Sequence, residues 1–442
     1  MFAAGAADEH LAAGWICFAI IAWTIYDPYL FAVVLMPFLI PFGTIQILPG
    51  VPFTYLLAGT TAAMIGCVVR PGPLVRGFQR IPRSTLIGLF GLLAAYLASM
   101  LVNGYTNIGA MWISTHTVRT LQVVLVFASV YRLADGRLML VGFVIAGCAC
   151  LFAGPIVWYE TGDLLAAYST PVMPLGSVLG VSLLIAKSSA FATFSAIAAF
   201  ALAEQARRLW SRAALFVLGA GFLGASLFSG RREALLAIAG AALIAMFTGR
   251  KRTYRIGIVA LVALAAVFLY WAGPLRTFLQ DRASIFAEFT GGGTGRWPLL
   301  IRSIELWWER PWLGYGPGMH STVLWNASDL GEGGVAAHNS ISGAMVEAGL
   351  VGGAFVVILV LGFVANWWRV LKGSWRFPSE SGWSTLILPG AATLFSAAAV
   401  WDFVNHSGYM LLFGMLTAWI VRVHEAQRIA ARSPDGTVRL PR

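Results

Sequence analysis

Three short stretches carry residue types that could handle a phosphorylated substrate. Ser229-Gly230-Arg231-Arg232-Glu233 sets two arginines ahead of an apolar run. Gly291-Gly292-Gly293-Thr294-Gly295-Arg296-Trp297 places another after a glycine run, and His338-Asn339-Ser340 stands where an apolar segment resumes. An arginine guanidinium is a planar fork that matches phosphate oxygens. A helix opening at Ala234 would aim its free N–H groups and positive dipole end at the same anion. Glycines let backbone approach a ligand closely, but the run has no G-K-[ST] and is not a Walker loop. A histidine can take a proton from a hydroxyl at neutral pH. Each stretch also has a plainer reading. Arg231 and Arg232 could snorkel or pair with Glu233, the glycines could simply be a loop, and Asn339 or Ser340 could be a helix cap beside a structural histidine.

Other polar residues stand inside apolar surroundings. His116 and Arg119 lie three apart on one helix face, and Lys187 falls within the apolar segment 171–203. Cations within a membrane span are costly and default to a functional or paired role. Glu347, about two helical turns beyond His338, is a candidate partner or polar lining residue. Asp402, Asn405 and His406 cap another helix end, and His320 is a second histidine with less context. Ser303 to Trp312 reads as an amphipathic piece whose tryptophans suit a membrane interface, although tryptophans also stack on sugar rings. Pro311-Trp312-Leu313-Gly314-Tyr315-Gly316-Pro317-Gly318 reads as tight turns.

The elements that must position these residues are membrane helices. Of 442 residues, 59% are hydrophobic and only 11% charged, with mean hydropathy +0.78. Soluble domains carry about 25% charged residues. Apolar segments fall at 11–46, 52–69, 84–102, 108–131, 138–156, 171–203, 213–229, 233–249, 256–272, 340–365, 383–402 and 407–423. At roughly 20 residues per span, they predict an all-α integral membrane protein of about 12 transmembrane helices. The first segment, interrupted at Asp27-Pro28, could count twice. With no basic leader and no small-residue cleavage site, Leu11–Ile45 reads as an anchor and not a removed signal.

The net charge of +11 comes from short basic clusters between apolar segments, at 70–83, 204–212, 250–255, 366–376 and after Val421. That is the positive-inside pattern and does not suit nucleic acid. Parity then puts Ser229–Glu233, the loop 273–339 and Trp401–His406 together on the outer face. The organisation is 1–272 for the first nine or ten helices, 273–339 for the long outer loop, 340–423 for the last three helices, and 424–442 for a polar cytoplasmic tail expected to be disordered. The four cysteines all lie in apolar segments without metal-ligand spacing and are expected to be free.

Taken together, SGRREALLA at Ser229–Ala237, Gly295-Arg296-Trp297, PWLGYGPG at Pro311–Gly318 and AHNSISGAMVEAGLVGG from Ala337 resemble, in that order, the O-antigen ligase and polymerase family. The resemblance covers about 125 residues, and the flanking spans agree with it in hydropathy alone. It implies a GT-C-like architecture with a partly helical periplasmic loop in the bacterial inner membrane. It also implies a glycan donor linked to undecaprenyl diphosphate, with lipid A-core or a second lipid-linked glycan as acceptor. By analogy Arg232 and Arg296 hold the diphosphate and His338 activates the acceptor hydroxyl. Arg231, adjacent to Arg232, leaves the register between the two open, and Glu233 stands where the family commonly has a small residue. Arg119, Lys187, Glu347 and Asn339 are further candidates. The outer loops carry no paired-carboxylate motif, so no metal or cofactor is expected and two arginines can supply the electrostatic stabilisation. Inversion by a single in-line displacement is expected. A ligase is slightly preferred over a polymerase. The reading from another class is a lipid-linked glycan flippase or transporter, which the lack of an inverted repeat disfavours.

Overall fold

The computed structural model describes residues 18–19, 21–30, 55–130, 137–148, 151, 174–175, 183–184, 188–206, 208–228, 296–327, 339–376 and 407–432. Their regular structure is helical apart from one two-residue antiparallel pair, Pro174–Leu175 with Leu183–Leu184. From Tyr55 onward the helices in chain order are α1 (Tyr55–Val69), α2 (Pro71–Phe78), α3 (Arg83–Asn103), α4 (Asn107–Ser129) and α5 (Arg137–Cys148). They continue with α6 (Ser188–Gln205), α7 (Leu209–Phe228), α8 (Arg296–Glu309), α9 (His320–Ala327), α10 (Ser340–Arg376) and α11 (Ser407–Arg432). Among the described residues, Arg83–Asn103 and Ser340–Val370 are long and apolar enough to cross a membrane.

Local sequence explains the boundaries that matter most. Pro82 precedes α3 and Gly104 ends it at φ +92, a conformation that L side chains rarely take. Thr106 then caps α4, its Oγ1 accepting the Gly109 N–H at 2.9 Å. The α3–α4 connection is therefore only three residues long, which makes the two helices antiparallel neighbours. α3 also lies close against α10. A Cβ on Gly88 would come within 2.3 Å of Leu359 Cγ, so a side chain there would force these helices apart. Tyr96, Leu89, Val123, Leu359, Phe363, Phe413 and Trp419 are buried in the core that α3, α4, α10 and α11 share.

The ends of this bundle sort by chemistry. At one end, Arg422 donates from Nε to the Val130 carbonyl at 2.8 Å and Gln427 donates to the Val370 carbonyl at 3.3 Å. α2, with its basic interval, lies against Ala128 at the same end. At the other end, Ser99 and Asn103 of α3 hold the turn 311–318, with Pro317 and Gly318 against Gly109 and Ile108 of α4. Three of the five basic clusters, at 70–83, 366–376 and after Val421, thus meet at one end of the bundle, and the motif-bearing turn sits at the opposite end.

Two expectations need correction. Segment 171–203 is not one helix: 174–175 pairs with 183–184, and α6 starts only at Ser188. Pro171, Pro174, Gly176 and Gly180 work against a helix there, by removing donors and by backbone entropy. Tail residues 424–432 are not disordered either. α11 runs to Arg432, held by the Gln427 bond and by an Arg422–Glu425 pair at 2.5 Å. The segments at 233–249, 256–272 and 383–402 lie outside the described residues.

Candidate functional site

The end of the bundle that carries the turn 311–318 is organised by a break in α10. This 37-residue helix leaves helical geometry at Ala348 (φ −131, ψ 19) and Gly349 (φ 65, ψ −160). An unbroken helix would bond the Leu350 N–H to the Val346 carbonyl and the Val351 N–H to the Glu347 carbonyl. Instead the Leu350 N–H goes to the Pro311 carbonyl at 2.7 Å. The turn returns the exchange, with Tyr315 N–H to Val346 O at 2.8 Å and Gly316 N–H to Glu347 O at 3.0 Å. The orphaned helix groups are satisfied, as a buried break requires. Only glycine fits at position 349, because a Cβ there would lie 2.1 Å from both C and O of Trp312.

Two side chains of α3 secure the seated turn. Ser99 Oγ lies 2.6 Å from Leu313 O and 2.7 Å from Glu347 O, so its single proton can serve either carbonyl. Asn103 Nδ2 donates to Gly314 O at 3.1 Å and to Ser99 O at 2.9 Å. Its Oδ1 accepts from Arg310 Nη1 at 2.9 Å. Arg310 also lies over the Tyr315 ring at 4.6 Å, and the Tyr315 hydroxyl donates to Glu309. Partial burial, followed by that carboxylate, raises the Tyr315 pKa above the ordinary tyrosine value.

The same anchor reaches the catalytic candidates. Leu299 and Leu306 of α8, Leu324 of α9 and Val346 of α10 form one buried cluster. Arg296 is the first residue of α8, one turn before Leu299. Asn339 immediately precedes α10 and accepts from the Ile341 N–H at 2.9 Å and the Ser342 N–H at 3.2 Å through Oδ1. Asn339 is therefore the helix cap, the plainer of the two roles that its sequence position allowed. His338 stands directly before this cap in the chain but lies outside the described residues, as do Arg231, Arg232 and Lys187.

Glu347 and Arg119 are both buried within the bundle. Glu347 Oε2 accepts from Trp112 Nε1 at 3.0 Å. Trp112 and Tyr96 flank the buried His116 ring at 5.5 and 4.9 Å. An ionised carboxylate out of water costs several kcal/mol unless it is hydrogen-bonded, and the indole N–H supplies one such bond. Glu347 thus ties α10 to α4 directly beneath the break. His320 is also buried, with Nε2 3.4 Å from Ser303 Oγ, in the joint between α8 and α9.

Sequence reading missed Ser99, Asn103 and Arg310. The available signals were an i, i+4 polar pair at the outer end of an apolar span, and an arginine directly before the PWLGYGPG turn.

Among the described residues, fold and site define a helical bundle with two helices of membrane length, one end of which carries a polar, tryptophan-rich region anchored in a broken helix. Residues 220–357 match the family model described as O-antigen ligase, which supports the resemblance of this region to the O-antigen ligase and polymerase family. Proteins of that family are membrane-embedded, of glycosyltransferase type, and act in general terms on lipid-linked glycans. No individual curated protein matches the sequence.

Proposed function

We propose that this protein transfers a glycan from an undecaprenyl-diphosphate carrier to an acceptor hydroxyl on the periplasmic face of the bacterial inner membrane. The acceptor is the lipid A-core in a ligase, which we slightly prefer, or a second lipid-linked glycan in a polymerase. The observation that carries this reading is the seating of the turn 311–318 in the break of α10. It fastens the helix that begins at Arg296 to the helix that begins just after His338. Two residues far apart in the chain thereby start elements that share one buried cluster.

In this reading Arg296 and Arg232, or its neighbour Arg231, neutralise the diphosphate as it leaves. His338 takes the proton of the attacking hydroxyl. Charge stabilisation by guanidinium groups requires no metal, and one in-line displacement inverts the anomeric centre. The polar residues Arg119 and Glu347 lie deeper in the bundle and act on the architecture of the site. Lys187 and Asn339 have no assigned chemistry beyond the cap that Asn339 makes.

Replacing His338 by Ala should lower glycan transfer by roughly 100- to 10,000-fold, the usual worth of a general base, with the protein still in the membrane. Near-normal transfer would remove His338 from that role. Transfer should persist in excess chelator, and loss restored by a divalent cation would reject the metal-free mechanism. A deletion strain separates the acceptors. Full-length polymer accumulating on its carrier indicates a ligase, and accumulating single repeat units indicate a polymerase. Absence of any outward-facing intermediate indicates a flippase and would overturn the proposal.

A further inference from the structure

The circumference of α8 divides into three arcs. Leu299, Ser303 and Leu306 are buried against α9 and α10. Glu305 and Glu309 are exposed on the adjoining arc, with Arg302 bonded to Glu305 at 2.7 Å. Ile301, Ile304 and Trp308 occupy the remaining arc, all exposed, and Trp308 is 73% exposed. Trp312, 69% exposed, follows at the next turn's spacing. The exposed side of the helix is therefore half apolar and half charged, split along its length.

The apolar half continues a surface already made for lipid. α3 is one of the two described helices of membrane length. It exposes Ile87, Phe90, Leu97 and Leu101 as a single stripe ending in the fully apolar pair Leu101 and Val102. That last turn is where Ser99 and Asn103 hold Leu313 and Gly314, the residues directly after Trp312. Leu350 and Val351 of α10, also exposed, lie just past the break in which the turn is seated. Trp312 thus sits at the level of the outermost exposed turn of α3.

We infer that α8 lies along the outer surface of the bilayer, with Ile301, Ile304, Trp308 and Trp312 immersed at the headgroup and acyl boundary and Glu305 and Glu309 in water. A protein partner would cover both exposed arcs, whereas a membrane surface wets one and buries the other, as an interfacial helix requires. Indole rings favour that depth because one edge is apolar and the N–H is polar. The consequence for function is positional. A helix pinned at the interface fixes Arg296, its first residue, at the depth where a lipid-linked diphosphate would lie. This inference rests on the membrane reading and is tested separately from it.

The test uses the full chain in lipid nanodiscs, with native cysteines replaced by alanine and one nitroxide label at 304, 308, 305, 309 or 97. Collision with oxygen, which partitions into lipid, is compared with collision with a water-soluble nickel chelate. Labels at 304 and 308 should collide mainly with oxygen, those at 305 and 309 mainly with nickel, and the label at 97 with oxygen alone. Nickel collision at 304 and 308 equal to that at 305 and 309 overturns the inference, and so does shielding of 304 and 308 from both reagents. A label at 97 open to nickel overturns the membrane reading itself. If the cysteine-free chain fails to fold, native protein and Trp308→Phe are compared in nanodiscs of lipid brominated near the headgroup. The fluorescence that the substitution removes should belong to the quenched fraction; an unquenched difference overturns the inference.

Discussion

Replacing Gly349 by Ala tests how far the site depends on the broken helix. At φ 65 and ψ −160, residue 349 occupies a region reached essentially by glycine alone, which costs another residue about 1–3 kcal/mol. The added Cβ would also lie 2.1 Å from Trp312 C and O, closer than any real contact, so the turn cannot stay seated. Unseating it forfeits three backbone hydrogen bonds, from Tyr315, Gly316 and Leu350, at about 1 kcal/mol each. We therefore expect about 3 kcal/mol, which lowers the seated population by roughly 100-fold. Amide hydrogen exchange should show lost protection at Tyr315, Gly316 and Leu350, with glycan transfer in membranes falling by a similar factor and protein abundance largely kept. Gly224→Ala is the control, because nothing lies within 4 Å of a Cβ there and alanine favours the helix. Unchanged protection together with normal transfer in Gly349→Ala would refute the reasoning.

Further substitutions probe the supports of the same turn. Asn103→Ala removes the bonds to Gly314 and Arg310 and should loosen the turn by about 1–2 kcal/mol, read as faster exchange at Gly316 with α3 itself still protected. Glu347→Gln keeps an acceptor for the Trp112 N–H and should retain most transfer. Glu347→Ala strands that half-buried donor and should cost about 1–3 kcal/mol in thermal unfolding of the detergent-solubilised protein; equal behaviour of the two variants would argue for a role of the charge. Arg296→Lys should be nearly as damaging to transfer as Arg296→Ala, since an ammonium cannot reproduce a bidentate guanidinium; a near-normal lysine variant would reduce Arg296 to a point charge.

The sequence by itself determined the class of the molecule. A chain that is 59% hydrophobic and 11% charged can satisfy its backbone in lipid only as helices or a closed barrel, and its apolar segments have the length of helices. Basic clusters pointed to which helix ends lie together, and those at 70–83, 366–376 and after Val421 do meet, because the cost of moving a cation across a membrane is a property of each loop alone. The family resemblance was legible too, since its motifs are short and ordered along the chain, and the match over 220–357 agrees with them. Helix limits fixed by local chemistry also came through, as with α3 and α4, whereas 171–203 was misread because hydropathy outweighed its prolines and glycines.

Only the tertiary structure decided how the motif-bearing elements are joined. The seat of PWLGYGPG in α10 is an exchange of backbone N–H and carbonyl groups. Every residue has those groups, so the sequence marks the place by little more than Gly349. Ser99 and Asn103 read as unremarkable polar residues at a span's end until the fold brings a turn more than 200 positions away against them. Glu347 was a candidate partner of His338 because it lies about two helical turns further along the chain. The fold brings Trp112 of α4 to its carboxylate, since a buried carboxylate must take a hydrogen-bond donor that packing brings within reach, however distant in the chain.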